Sequence, residues 1–379
     1  MICREMRAKY FLLLAILAAI AIFVAWAWSR LSRQDTGLES IGLSDVSPEI
    51  MGNLEGRTLV FVTQANVPLE ISIADEGYGV LELLGVPESL RQNDVTIARQ
   101  PIREEWNIAL VELDDFSDIS PRFLTSNEGV FLHTTISVDG RYILATRYQG
   151  ESEDVVRIPS GGSEMEAVAF SHSKDRWPSC SQDGSRVVFH SFRDGNPAGD
   201  LYLAIEDDGW RVVRLTDNRE VEYVWPFLSP NANACIAIER DIGQAVGRIA
   251  FWGIEDENFQ EKVYFTEVGD VRFPSLDADA ELACWQRFDG SVWQIYLKRE
   301  GQEPALIDLN LSLDSPCNGF VQPSLSADGT LLLFVEDYRD AGLDCIVIYS
   351  IESRETVYFD GCGGTFLAPS ISGPPDEMR

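Results

Sequence analysis

Lysine is nearly missing from this chain: Lys9, Lys174, Lys262 and Lys298 are the only four among 30 basic residues, which face 61 acidic ones for a formal net charge of −31. So acidic a surface repels phosphate backbones and anionic headgroups, which excludes DNA, RNA or a lipid surface as the partner of any broad face. Histidine stops at three, and no C-x-x-C occurs, so zinc ribbons and thioredoxin-like chemistry have no foothold. No G-x-S-x-G is present, which removes the nucleophile elbow of a serine hydrolase. "GCGGT" at 361–365 lacks the Lys and the following helix of a phosphate loop, and "LDADAE" lacks EF-hand spacing. Beyond residue 55 no stretch keeps a 3.6-residue period. What remains is 45% hydrophobic and rich in Trp, Tyr and Phe, enough for a sizeable core.

Residues 11–28, "FLLLAILAAIAIFVAWAW", form the one long apolar run. At 1.5 Å per residue a helix of this length spans about 27 Å, just enough for a bilayer core. Arg4, Arg7 and Lys9 precede it, which keeps the N-terminus cytoplasmic and sends the rest outward. The expectation is a single-pass signal anchor over 1–28, with the remainder extracytoplasmic, on the periplasmic or extracellular side. Ala25-Trp26-Ala27 fits an A-x-A site, so secretion after cleavage near Ala27 is the alternative. Apart from Cys3, six cysteines follow, an even number that permits disulfides without fixing a pairing. Cys180, Cys235 and Cys284 sit in apolar strand-like runs and are expected to be buried thiols. Cys317 and Cys362 each precede a repeat by a similar distance and form the candidate disulfide.

The repeat is plain once "WPSCSQDGSRVVF" (177–189) is set beside "WPFLSPNANACIA", "FPSLDADAELACW" and "QPSLSADGTLLLF". Taking Ser181 as marker, its equivalents are Ser137, Ser229, Asp277, Ser326 and Ser372, with a weaker match at Ser89. The intervals are 48, 44, 48, 48, 49 and 46 residues, a period. Inside each unit a short strand meets a turn such as Asp183-Gly184, and three further strand-like runs follow, "SRVVFH", "DLYLAI" and "WRVVRLT" in the clearest case. Four-stranded units of 40–50 residues are blades of a β-propeller, because one small sheet cannot bury both its faces alone.

The expected fold is therefore all-β: a propeller of seven four-stranded blades, with six as the alternative, preceded by one transmembrane helix. "APSIS" at the C-terminus reads as an inner strand without a hairpin partner, and 57–84 reads as strands without an inner one. Joined, they close the ring as a velcro. The expected organisation is an anchor at 1–28, a linker at 29–55, the propeller at 56–373 and a tail at 374–379.

Residues 177–218 resemble the WD40-like (PD40) repeat of TolB-type propellers through Ser181, Asp183-Gly184, Arg193-Asp194-Gly195, Leu201-Tyr202 and Leu215-Thr216. The other units match less fully, as where Asn231-Ala232 and Asp279-Ala280 lose the turn glycine. The resemblance implies the fold over roughly 55–373. It says little about function, since such propellers serve transport complexes, proteases, lyases and scaffolds alike. TolB carries a separate α/β domain ahead of its propeller, which residues 29–55 cannot hold, so the Tol–Pal partnership is not carried over.

On one rim an arginine recurs where the second strand enters its loop: Arg99, Arg147, Arg193, Arg240, Arg287 and Arg339. Either each pairs with a neighbouring acid, as the "RD" dipeptides suggest, or together they form a collar for the carboxylates of a partner or glycan. Trp177, Trp225 and Phe273 open the inner strand of three successive blades, packing between blades or forming an aromatic arc at the tunnel mouth. His133, His172 and His190 fall on the same rim and are candidates for a metal or acid–base site, although without ligand spacing. The reading preferred is a tethered extracytoplasmic module that binds a protein or glycan without catalysis or cofactor. The alternative is an enzyme, a lyase or glycoside hydrolase, acting on acidic polysaccharide at the propeller mouth.

Overall fold

A computed structural model describes residues 48–64, 106–113, 121–125, 129–162, 164–169, 171–307, 309, 319–337, 345–359 and 366–374. All of them belong to one compact unit, 40–65 with 104–379. Among the described residues the strands form six antiparallel sheets of four, each a blade with strands a to d from the axis outward. Strand a is Phe366–Ile371 in blade 1, Val130–Ile136 in blade 2 and Asp175–Cys180 in blade 3. It is Val221–Leu228 in blade 4, Val271–Leu276 in blade 5 and Phe320–Leu325 in blade 6.

Six blades correct the expected seven. Strand b of blade 1, Thr58–Gln64, pairs directly with strand c, Trp106–Glu112, in a register that sets Phe61 against Ala109. Residues 65–105 therefore fall in sequence between two strands of one blade, and the blade expected to start near Ser89 lies outside the described residues. No gap is left for another blade: Ile136 N–H of blade 2 donates to Ser370 Oγ of blade 1 at 3.3 Å, and Ala368 N–H of blade 1 donates to Gln322 Oε1 of blade 6. The reading failed because "WNIALVE" is buried on both faces, a run without the alternation that marks a half-buried strand. The velcro itself is present, with Leu59 opposite Ile371 and Val60 opposite Ser370. No described helix is long and apolar enough to cross a membrane, and the anchor run 11–28 lies outside the described residues.

The marker residue owes its recurrence to the turn between strands a and b. Its side-chain oxygen accepts the backbone N–H that opens strand b: Tyr142 to Ser137 and Arg186 to Ser181, both 3.0 Å, and Leu282 to Asp277, 3.0 Å. The hydroxyl then donates to the turn acid, Ser137 to Asp139 at 2.7 Å and Ser326 to Asp328 at 2.6 Å. In the composite blade the two chain ends reproduce this contact, Thr58 N–H reaching Ser372 Oγ at 2.8 Å. Arg57 fastens the seam, donating to Ser372 O at 3.2 Å and pairing with Asp328 of blade 6. Inside the expected linker, Pro48–Leu54 form a helix, α1, that buries Ile50 and Leu54 against the blade 6–blade 1 cluster. Each buried aliphatic side chain contributes about 1.5–3 kcal/mol to that docking.

The core is divided accordingly. Six apolar clusters fill the six interfaces between blades, such as Leu59, Phe61, Leu331 and Ile348 between blades 1 and 6, and Val188, Leu203, Ala237 and Trp252 between blades 3 and 4. Each sheet hides its faces only against its neighbours, which is why closure stabilises the whole.

Candidate functional site

Every inner strand carries the same irregularity. In blade 3, Arg176 pairs with His190 and Ser179 with Val188, so Trp177 and Pro178 together oppose one residue. The other five blades repeat this two-against-one bulge. The position suits proline, which has no N–H to give to the ladder and is tolerated on an edge strand or at a bulge. The residue before it adopts a left-handed conformation in all six blades: His133 (φ 57°), Trp177 (55°), Trp225 (50°), Phe273 (51°), Gln322 (56°) and Ala368 (49°). Blade 2 alone has Thr134 in place of proline, and its hydroxyl donates to Ala368 O at 3.0 Å. Non-glycine residues held so cost on the order of 1–3 kcal/mol each and persist where the surroundings over-determine them. Here neighbouring blades do so: Trp177 N–H donates to Thr146 Oγ1 at 3.0 Å and Gln322 N–H to Gln286 Oε1 at 2.5 Å.

This turn of the backbone puts one half-buried side chain per blade into the bore. Together with Pro178, Pro226, Pro274, Pro323 and Pro369 these residues line a funnel of about 570 Å³, its open mouth included. Its wall is lopsided. Trp177 and Trp225 have ring centroids 5.7 Å apart, Trp225 and Phe273 4.8 Å, and His133 meets Trp177 edge-on at 6.0 Å. The aromatic side thus runs unbroken over blades 2 to 5, while blades 6 and 1 offer Gln322 and Ala368. The funnel lining carries no Asp, Glu, Lys or Arg. Charge begins just outside, where Arg176 lies 5.8 Å from the Trp177 ring and Arg240 5.9 Å from Trp225. Both are anchored, Arg176 on Glu153 and Arg240 on Glu222 at 2.8 Å. Burial pushes the Glu153 carboxyl up, but its Arg176 and Lys174 contacts outweigh that and hold it below its usual value.

Two histidines border this wall. Trp177 Nε1–H donates to His133 Nε2 at 3.2 Å, which leaves the proton of the neutral ring on Nδ1, and that atom is buried without a partner. Burial, then the charge of Arg176, lowers the His133 pKa to about 3, with Glu153 opposing. His190, fully buried on strand b of blade 3, donates from Nε2 to Ala198 O at 3.2 Å and packs 5.1 Å from Trp177. Burial lowers its pKa to about 4, against the pull of the Ala198 carbonyl. Both are neutral at ordinary pH. His172 is exposed in the loop entering blade 3, and among the described residues no His, Cys, Asp and Glu group is arranged to hold a metal. Cys180, Cys235 and Cys284 are buried free thiols whose pKa values burial raises.

Of the arginines of the expected collar, Arg147, Arg193, Arg240 and Arg287 are among the described residues, and the pairing of Arg193 and Arg240 differs from the "RD" reading. Arg193 binds Asp175 at 3.0 Å, not the adjacent Asp194, which accepts from Tyr202 OH at 2.9 Å. Arg240 uses Glu222 and Arg147 uses Asp154, at 3.4 Å. Arg240 and Asp241 share a strand, where consecutive side chains point to opposite faces, so Arg240 meets Glu222 across the sheet; Arg193 and Asp194 lie in a 3-10 turn, where Asp194 has a left-handed backbone. Arg287 lies 6.0 Å from the Tyr296 ring and has no ion-pair partner among the described residues. Arg99, Arg339 and the Cys317–Cys362 pair lie outside the described residues.

Trp177, Trp225 and Phe273 come together as an arc, though in mid-strand inside the bore and not at the strand's start. Gln322, Ala368 and the inclusion of His133 in the same ring were missed. The signal was present: all six residues stand four positions before the repeat marker.

With this geometry, the sequence matches no family model and no curated protein. Solved structures do resemble it. TolB from Acinetobacter baumannii superposes with a TM-score of 0.59 at 16% identity, over 85% of this chain and 68% of that one. The TolB-assigned protein of Agrobacterium tumefaciens gives 0.50 at 18%, over 64% of this chain and 87% of that one. A chain of a nidogen–laminin complex gives 0.52 at 9%, over 84% and 98%. The fold is that of a TolB-like six-bladed propeller; at such identities the likeness reaches no further than fold.

Proposed function

We propose that this protein is a non-catalytic binding module, membrane-tethered and extracytoplasmic, that holds a protein partner at the bulge-lined mouth of its bore. The observation that carries this reading is the arc of His133, Trp177, Trp225 and Phe273. A left-handed position is occupied most cheaply by glycine, yet four of the six hold rings, which supply rigid apolar contact area at little cost in side-chain entropy. A protein segment suits the wall better than a glycan. Sugars demand many hydrogen-bond partners, and this lining is largely proline and aromatic carbon. The nidogen–laminin complex lends the analogy of a protein–protein assembly. Tether and compartment rest on the charge and length of residues 4–28. The rim arginines Arg147, Arg193, Arg240, Arg287 and Arg339 are proposed as the polar border of the contact.

The enzyme reading finds less support, since His133 and His190 hold pKa values of about 3 and 4, far from the near-neutral value a general base needs. Affinity capture of the full chain after crosslinking in cells tests the proposal. The wild type should return a specific partner, and Trp225→Ala with Phe273→Ala should lose it while still unfolding in one cooperative transition above the capture temperature. Equal recovery by the double variant would remove the bore from the account.

A further inference from the structure

The strands of a blade alternate in direction, so the a–b turns lie at the opposite end of the propeller from the b–c loops that carry the rim arginines. There the turns of blades 2, 3 and 4 enclose a polar groove of about 1250 Å³, its open side included. Its backbone is fixed from blade to blade. Asp139 N–H donates to Gln182 O at 3.1 Å, and Gln182 N–H to Pro230 O at 2.7 Å. Gly184 is seated so closely that a Cβ on it would meet Tyr142 Cδ2 at 3.0 Å.

Blade 3 departs from the other five at two places in this groove. The residue after the repeat marker is Gln182 here and Val138, Pro230, Ala278, Ala327 or Gly373 elsewhere. The residue whose N–H the marker accepts is Arg186 here and Tyr142, Ala234, Leu282, Leu331 or Thr58 elsewhere. The turn forms in all six, so the fold requires neither the amide nor the guanidinium. Both are also left unused: the side chains of Gln182 and Arg186 make no hydrogen bond or ion pair among the described residues. Glu257, which feels the charge of Arg186, is held instead by both terminal nitrogens of Arg211, at 2.7 and 2.8 Å.

The groups around these two have capacity to spare. Asp183 accepts from Ser181 Oγ, Ser185 N–H and Ser185 Oγ on Oδ1 alone, which leaves Oδ2 open. Burial pushes its carboxyl up, but those bonds outweigh burial and hold it below its usual value, so it stays an anionic acceptor. Arg141 gives Nε to Asp139 and keeps both terminal nitrogens, while Asn231 gives Nδ2 to Asp279 at 2.8 Å and keeps Oδ1. Donors and acceptors therefore stand side by side, and the charges of Arg141 and Arg186 cancel those of Asp139 and Asp183. Such a lining suits hydroxyl groups, each of which both gives and takes a hydrogen bond. Turns already tied to one another lose little freedom when a ligand binds.

We infer that the groove across the a–b turns of blades 2 to 4 binds a neutral carbohydrate chain, with Gln182 and Arg186 as its specific contacts. No bore residue takes part, so this site is separate from the one proposed above. The test is calorimetric titration of the full chain with cellotetraose, maltotetraose and chitotetraose, and with two charged controls, tetragalacturonate and the deacetylated chitin tetramer. At least one neutral tetrasaccharide should bind tenfold or more tighter than both controls. Gln182→Ala and Arg186→Met should each weaken it at least fivefold while still unfolding in one cooperative transition above the titration temperature, whereas Trp225→Ala should leave it unchanged. No binding by any neutral tetrasaccharide, a charged control that binds as tightly, or indifference to Gln182→Ala or to Arg186→Met would each overturn the inference. Loss on Trp225→Ala would move the sugar to the bore and overturn this site as well. Partner capture at the bore is read by crosslinking, so either site can fail without the other.

Discussion

The two sides of the bore share one backbone and differ in everything that backbone carries. Blades 2 to 5 and blades 6 and 1 have the same bulge and the same left-handed residue, with φ between 49° and 57°. One side fills that position with His133, Trp177, Trp225 and Phe273, the other with Gln322 and Ala368. The fold therefore demands the conformation and not the side chain. Where Gln322 satisfies its neighbour through Ala368 N–H, it is part of the ring's construction. Nothing in the ring's closure requires a Trp at 225, and its face is what remains to be explained by binding.

Acid should separate the two sides most sharply. His133 and His190 both touch Trp177, and their pKa values are lowered from 6.5 to about 3 and 4. The unfolded chain takes up these protons below about pH 6.5 and the folded chain does not, so stability falls as pH drops from 6.5 towards 4. At about 1.4 kcal/mol per pKa unit the loss amounts to several kcal/mol. Chemical denaturation at pH 7, 5.5 and 4.5 measures it, and His190→Gln should make the profile shallower while leaving the share of His133. Next in size, Trp225→Ala removes contacts to Trp177 and Phe273 and should cost about 2–3 kcal/mol in the same assay, less than the 3–5 of a fully buried ring. On the small side Gln322→Ala strands the Ala368 N–H and should cost about 1–2 kcal/mol, read as a lower denaturation midpoint at constant slope. Ala368→Gly relieves a left-handed alanine that the fold merely tolerates, and should shift stability by less than about 1 kcal/mol.

The legibility of the sequence follows the same division. The period exposed the propeller because each blade reuses one turn, and the marker side chain, Ser in five blades and Asp277 in the sixth, accepts the N–H that opens strand b, even across the chain ends. Blade number was misread where that signal failed: Ser89 lies in a region without Asp-Gly, and the true strand c at Trp106–Glu112 is apolar on both faces. The arc of Trp177, Trp225 and Phe273 was visible as ring-before-proline. Gln322 and Ala368 occupy the same slot with no chemistry to announce it. Arg240 pairs with Glu222 and not with the adjacent Asp241, because neighbours along a strand face opposite ways. Gly247 and Gly269 of blade 4, which exchange backbone hydrogen bonds, left no pattern, since they meet only in the folded chain.

The most direct measurement is calorimetric titration of the captured partner into the full chain, with Trp225→Ala and Phe273→Ala on one side of the bore and Gln322→Ala and Ala368→Gly on the other. The account predicts at least a tenfold loss of affinity for each aromatic variant and unchanged affinity for the other two. Equal loss on both sides, or none on either, would contradict it.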